Sequence, residues 1–190
     1  PPRSTLFPYT TLFRSSKKDE PFNFVILTAD THFNEGYIDD SCPTSFEDSL
    51  ANSYYCSDIM ISNFIKWIQN QDFYKNTTIV ITGDHLTMRQ GFFDERDYDR
   101  TVYNAIINSS IEGDNTKNRL YATFDLYPTV VASIGGKIEG NKLGLGTNLY
   151  SNEKTLIEKY GLKYVEDQLK KNSDYYKHKL LQDDYIKINN

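Results

Sequence analysis

No cluster of Lys and Arg interrupts a chain that carries 21 basic against 26 acidic residues, so the electrostatic footprint of a nucleic-acid binder is missing. No apolar run approaches the roughly 20 residues that a membrane helix needs. No succession of charged, apolar and small residues has the form of a signal peptide. Only two cysteines occur, with thirteen residues between Cys42 and Cys56 and no CxxC pair, a poor spacing for zinc. That spacing suits a disulfide closing a short loop and equally suits two buried thiols. The glycine-rich stretch GGKIEGNKLGLGTNLYS lacks the GxxxxGK[ST] pattern and joins no strand to a helix, which argues against a nucleotide cradle. The remainder is ordinary globular material. Hydrophobic residues make up 38% and aromatics 14%, enough to bury a sizeable core rather than stay disordered.

The first fifteen residues, PPRSTLFPYTTLFRS, repeat TLF at 5–7 and 11–13 without a periodicity that links them to the rest of the chain. Residues 1–15 are therefore set apart as a foreign or assembly-derived segment, 16–172 as the body of the fold, and 173–190 as a peripheral tail. After Pro21, FNFVILTAD predicts a strand over Phe22–Ala29, buried on both faces. A loop punctuated by Gly36 and Pro43 leads to TSFE, where Thr44 and Glu47 have the form of a capping box. Leu50, Tyr54, Ile61, Phe64, Ile65 and Ile68 then recur at helical spacing, carrying a helix to about Gln69, with Trp67 in its core. Thr77–Thr82 reads as the next strand, and TVYNAIINSS as another. FDLYPTVVASI reads as a short helix with Asp125 as N-cap and Pro128 in its first turn. Glu153–Lys171 reads as one amphipathic helix.

Strand, helix, strand predicts a βαβ unit, and with it an α/β fold whose mostly parallel sheet is flanked by helices. The carboxyl ends of both strands then share one sheet edge, where sites in such folds assemble. The segment TTIVITGDHLTM runs an apolar strand through Gly83 into Asp84 and His85; the earlier strand ends in Asp30-Thr31-His32. A carboxylate beside an imidazole suits a divalent cation, Mn²⁺ or Zn²⁺, with Mg²⁺ a poorer match. The plain alternative is an Asp capping a turn and a His satisfying a carbonyl. Arg89 and Arg96 stand where they meet an anion or a solvated loop, and His178, in YYKHKLL, reads as a tail residue.

Four ordered motifs, LTADTHFNEGYIDDSCP, YYCSDIMISNFIKWI, TTIVITGDHLTM and FDLYPTVVASIGGKIEGNKLGLGTNLYS, resemble the C-terminal half of a catalytic domain. The family is that of the lipoteichoic-acid-synthase-like phosphoglycerol transferases of the sulfatase and alkaline-phosphatase superfamily. Within it, the likeness is nearer to the branch that decorates membrane-derived glucans. The resemblance spans roughly Phe22 to Ser151. It implies that Asp84 and His85 ligate the catalytic metal and that His32 serves as the catalytic, substrate-binding histidine. It gives Asp30 no firm role, and it pairs Cys42 with Cys56.

For the whole enzyme the resemblance implies a metal-dependent transfer of glycerophosphate from phosphatidylglycerol to a cell-envelope glycan or polymer, through a covalent threonine intermediate. It further implies membrane attachment through N-terminal helices and a catalytic domain on the extracytoplasmic side of the cell membrane. The family's nucleophile and earlier acidic ligand have no counterpart in these residues; neither Thr31 nor Thr87 occupies that position. The rival readings are a sulfatase or phosphoethanolamine transferase of the same superfamily, and a non-catalytic module that binds polyanions.

Overall fold

The computed structural model describes residues 9–18, 20–89, 91–92, 99–113 and 116–180. The chain divides into two compact units, Pro1–Asn108 and Ser109–Asn190. The first contains helices α1 (Tyr9–Ser16) and α2 (Ser49–Gln69) and strands β1 (Ile79–Thr82) and β2 (Asn104–Ile107). The second contains α3 (Thr123–Ser133), β3 (Lys142–Leu143), β4 (Gly146–Thr147), α4 (Leu156–Tyr160) and α5 (Leu162–Leu169).

In the first unit the apolar stripe of α2 builds the core. Phe64 and Ile68 are buried with Leu12 of α1, and Phe24, Ile26, Trp67 and Ile79 pack around them. Burial of each large side chain contributes about 2 kcal/mol. Of the segment set apart as foreign, the part from Tyr9 onward folds as α1, its Tyr9 ring edge-on to Phe64 and Trp67 at 4.9 Å from each. Helix α2 ends at Gln69, as its periodicity predicts, but it does not open on the Thr44–Glu47 box. Its N-cap is Asp48, whose carboxylate accepts from the Ala51 N–H at 3.0 Å. The side-chain amide of buried Asn52 bonds both the N–H and the carbonyl of Phe46, at 2.8 and 2.7 Å. That clip holds the chain before Asp48 out of the helix.

The sheet departs from the expected parallel arrangement. β1 pairs antiparallel with β2, Ile79 opposite Ile107 and Thr82 opposite Asn104. The second ladder, β3 with β4, is antiparallel as well. Phe22–Ala29 forms no ladder among the described residues, although over Phe24–Leu27 its side chains alternate as a strand's do. Phe24 and Ile26 face the core while Val25 and Leu27 are 81% and 83% exposed. The period-2 pattern is therefore present, but backbone groups make a strand only when a neighbour takes their hydrogen bonds. The expectation that this segment is buried on both faces and parallel to β1 is corrected to one face packed through Phe24 and Ile26 and no ladder among the described residues.

In the second unit, Asp125 is the third residue of α3 rather than its N-cap. Its buried carboxylate accepts from the Ala122 N–H at 2.8 Å and from the Thr147 N–H at 2.7 Å, tying the start of α3 to β4. Thr129 adds a second tie, donating to the Asp125 carbonyl and accepting from the Leu149 N–H at 3.0 Å. The glycine-rich loop is thus a small hairpin docked on α3. Gly146 is glycine because a Cβ there would overlap the Phe124 carbonyl and stand 3.0 Å from Pro128 Cδ. The single helix expected over Glu153–Lys171 is two, broken at Gly161 with φ 83°. Beyond Lys171 the described tail carries a helical turn at Tyr176–Leu180, exposed from Tyr176 to Lys179. Among the described residues no helix is long and apolar enough to cross a membrane.

Candidate metal and phosphoryl site

An open cleft of about 430 Å³ lies in the first unit. Thr31 and His32 line it from the loop after Phe22–Ala29, and Asp84, His85 and Thr87 from the loop after β1. Two segments far apart in sequence thus deliver their imidazoles to one cavity.

The loop bearing His32 is held in place by backbone and helix together. The His32 N–H donates to the Ala29 carbonyl at 3.1 Å, and the Gly36 N–H donates to the His32 carbonyl at 3.1 Å. The Asp30 carbonyl accepts from the Tyr37 N–H at 2.7 Å and from the hydroxyl of buried Ser53 on α2. Ser49 of α2 also donates to the Glu35 carbonyl at 3.1 Å. A disulfide between Cys42 and Cys56, with Cα atoms 5.4 Å apart, fastens the far end of the loop to the same helix. Gly36 permits this fit: its φ is 70°, and a Cβ would stand 2.5 Å from Ser53 Cβ and 2.9 Å from the Asp30 carbonyl. Gly36→Ala is therefore expected to cost about 2 kcal/mol or more and to displace His32. Its check is a thermal melt paired with the His32 ring resonances; an unshifted melt and unshifted resonances would show that the loop gives way freely.

Both histidines are set in the same way. Nδ1 of His32 lies 2.8 Å from the Phe33 carbonyl, and Nδ1 of His85 lies 2.8 Å from the Leu86 carbonyl. A carbonyl only accepts, so Nδ1 carries the proton in each ring and Nε2 of the neutral ring presents a lone pair. The Asp84 carboxylate accepts the His85 N–H at 2.9 Å through Oδ1 and places Oδ2 3.5 Å from His85 Nε2. At that distance a direct hydrogen bond is poor. It is close to the spacing of two ligands on one tetrahedral ion, about 3.4 Å when each bond is about 2.1 Å. An oxygen and a nitrogen lone pair facing each other without a proton between them fit a cation. They supply two ligands, and among the described residues no group of three or more His, Cys, Asp or Glu gathers to complete a shell.

Arg89 takes a part that the sequence did not suggest. Arg89 is occupied by the N-cap of α2, its guanidinium bidentate on Asp48 with one contact at 3.0 Å. Arg96 lies outside the described residues. Asp30 works through its carbonyl and lines a separate minute cavity. His178 belongs to the exposed tail turn. The cleft also holds a residue that motif reading passed over: Arg100, which donates to the Thr87 carbonyl at 2.9 Å. Its signal was the return of the chain into β2 beside β1, which brings residues 100–103 back to the Asp84–His85 loop.

The sequence profile of the Sulfatase family matches residues 4–136, well over half of the chain. The chain belongs to the sulfatase family. Its similarity to phosphoglycerol transferase I of Xanthomonas axonopodis pv. citri is 37% identity over 79 residues, 38% of this chain and 11% of that protein. Against phosphoglycerol transferase I of Escherichia fergusonii and of Shigella flexneri it is 28% over 151 residues, 73% of this chain and 19% of each relative. The chain therefore spans less than a fifth of the length of these relatives. No solved structure matches. The sulfatase match takes in the whole cleft and α3, while the β3–β4 hairpin, α4 and α5 lie beyond it.

Proposed function

We propose that this sulfatase-family chain carries the metal- and phosphoryl-binding part of a phosphoglycerol transferase acting on a phosphatidylglycerol-type lipid. The observation that carries the reading is the cleft lined by His32, Asp84 and His85, with Nδ1 of each imidazole set against a backbone carbonyl so that Nε2 is left for a ligand. The names of the relatives support the choice of glycerophosphate over sulfate. Asp84 and His85 would hold a divalent cation, Mn²⁺ by preference. Bound there, the ion supplies Lewis-acid charge that offsets the charge on phosphoryl oxygens. His32 Nε2 accepts a proton from a hydroxyl or, once protonated, donates one to the departing alkoxide. The Phe33 carbonyl fixes the ring in the tautomer that this role requires. The guanidinium of Arg100 adds fixed positive charge on the wall that a phosphodiester would meet. The glycan or polymer acceptor and the extracytoplasmic membrane setting belong to the same reading.

The test uses the 190-residue chain with Mn²⁺, glycerol 1-phosphate and labelled phosphatidylglycerol. Glycerol phosphate should bind only with metal present, and no glycerophosphate should be released, because no residue stands at the nucleophile position. Metal-independent binding would dissociate His32 from the Asp84–His85 pair. Turnover would place the nucleophile within this chain, and Thr31 and Thr87, both lining the cleft, would be the residues to substitute.

A further inference from the structure

Helix α2 is bonded to both loops that carry the imidazoles. Toward the His32 loop it offers Ser49, which donates to the Glu35 carbonyl, Ser53, which donates to the Asp30 carbonyl, and Cys56, joined to Cys42. Toward the His85 loop it offers its N-cap, Asp48, whose carboxylate accepts both arms of the Arg89 guanidinium, one of them at 3.0 Å. Phe92 backs that contact. The guanidinium lies 5.6 Å from the centre of its ring, and the ring lies 5.8 Å from that of Tyr54, a residue of α2 that lines the cleft. The stretch from Asp48 to Cys56 thus holds both sides of the site.

The two ends of the His85 loop are held differently. Its bonds at Asp84 and His85 are local: the His85 N–H reaches the Asp84 carboxylate, and His85 Nδ1 reaches the Leu86 carbonyl. They would survive a swing of the whole loop. The ladder of β1 with β2 ends at Thr82, and the Gly83 N–H donates to the Tyr103 carbonyl at 2.9 Å. Further on, Arg100 takes the Thr87 carbonyl, tying the loop to the chain that enters β2, which moves with β1. The Arg89 fork ties it to another element, the helix that holds the His32 loop. Exposed ion pairs made through one contact contribute little. This one is bidentate, joins side chains only 33% and 34% exposed, and spans 41 residues. A fork fixes angle as well as distance. Asp48 is itself anchored, since the same carboxylate accepts the Ala51 N–H at the start of α2.

We propose that Asp48 and Arg89 are a positioning pair that sets the Asp84–His85 loop against the His32 loop, so that a cation on the first and a phosphoryl oxygen at the second belong to one ligand. The inference rests on the metal and phosphoryl reading of the cleft and gives α2 the task of keeping its two halves in register. A division of effects follows from it. Metal binding, made by adjacent residues, does not need the pair, whereas the joint grip on a phosphate monoester does.

The experiment uses the 190-residue chain with the variants Arg89→Gln, Asp48→Asn and both together. Asparagine caps a helix as well as aspartate does, so Asp48→Asn removes the charged partner and keeps α2 capped. Should it nevertheless unfold, as circular dichroism and melting would show, Arg89→Gln, outside the helix, carries the test. Mn²⁺ affinity, read by electron paramagnetic resonance, is expected to stay at the wild-type value. Affinity for glycerol 1-phosphate in the presence of Mn²⁺, read by calorimetry, is expected to fall by at least about fivefold, the lower end of the coupling between linked sites. The double variant should lose no more than either single one, as members of one pair do. Broadening of the His32 ring resonances by Mn²⁺, referenced to Mg²⁺, should weaken, because it decays steeply with distance. A pair that only stabilised the fold would lower the melting temperature and leave that broadening unchanged.

Wild-type phosphate affinity and wild-type broadening in Arg89→Gln would overturn the positioning role and leave the phosphoryl reading standing. Losses that add in the double variant would overturn it as well, since the two residues would then act separately. Loss of Mn²⁺ affinity in the variants would make the pair a support of the ligands themselves and overturn the division of effects. Absence of glycerol phosphate binding by the wild type would instead overturn the phosphoryl reading, and the His32 broadening would then decide on the pair alone.

Discussion

His85→Ala is expected to lower the affinity of the chain for Mn²⁺ by at least about a hundredfold. Loss of a residue that only orients a ligand already costs about 10- to 100-fold, and His85 is proposed as a ligand itself. Asp84 would be left as a lone, highly exposed carboxylate, a weak point charge in water. Asp84→Asn should act in the same direction, since it keeps the shape of the side chain but removes the charge that faces His85 Nε2. Glycerol phosphate binding should disappear with the metal in both variants. His32→Ala should instead remove the phosphate ligand while leaving the metal, since His32 is the group proposed to touch phosphate. Mn²⁺ electron paramagnetic resonance, with and without glycerol phosphate, reads both events. Retention of wild-type Mn²⁺ affinity by His85→Ala would take His85 out of the ligand set and return the Asp84–His85 pair to a turn cap.

The same region shows which features of the fold were legible in the residues. Helix α2 was legible to its last residue because its six apolar positions recur at helical spacing for five turns, and Phe64 and Ile68 occupy the core that this period predicts. β1 was legible as a short β-branched run and β2 from the weak alternation of TVYNAIINSS. Their partners were not, because pairing is decided by distant backbone groups and not by the local pattern. Phe22–Ala29 shows the difference, alternating as a strand over Phe24–Leu27 yet joining no ladder among the described residues. The start of α2 was misread for a related reason: Thr44 and Glu47 satisfy the capping pattern locally, yet Asn52, six residues on from Phe46, clips that stretch outside the helix.

The candidate site was legible where chemistry is written in adjacent residues and illegible where topology assembles it. Asp84-His85 and His32 stood out by residue type alone. Arg100 did not, because only the antiparallel return of β2 brings it to the cleft. Arg89 read equally as an anion binder or a solvated loop residue, because nothing local reveals that its fork fits Asp48, 41 residues earlier. The LGLG loop, read as a marker of family likeness, serves packing: Gly146 lets the hairpin press against the backbone of α3.

The largest expected loss of stability lies in the second unit, at Arg119. Its side chain is 3% exposed and its guanidinium meets both Glu158 carboxylate oxygens, at 3.0 and 2.7 Å, and the carbonyls of Leu149, Ser151 and Glu153. Those partners lie 30 to 39 residues further along the chain, so this single fork gathers the hairpin exit and α4. Arg119→Met leaves three carbonyls and a carboxylate without their donor and is expected to cost about 3–5 kcal/mol, a fall in melting temperature of at least about 12 °C for a unit of this size. The pH dependence comes from Glu158, which hydrogen bonding to Arg119 holds down at about 2. Above its ordinary value near 4.5, Glu158 is charged in both states and the stabilisation is complete. As the pH falls from there toward 2 the unfolded chain takes up the proton first, and the contribution, about 3 kcal/mol at most, is lost. Asp125 works with the opposite sign, since burial pushes its carboxyl above the ordinary range and protonation favours the folded state. Acid-induced loss in this unit is therefore assigned to Glu158, and Glu158→Gln should flatten the limb of the stability curve between about pH 4.5 and 2 while lowering stability at pH 7. An acid limb that stays as steep in Glu158→Gln would assign the proton uptake to another carboxylate and reduce the Arg119 fork to a packing contact.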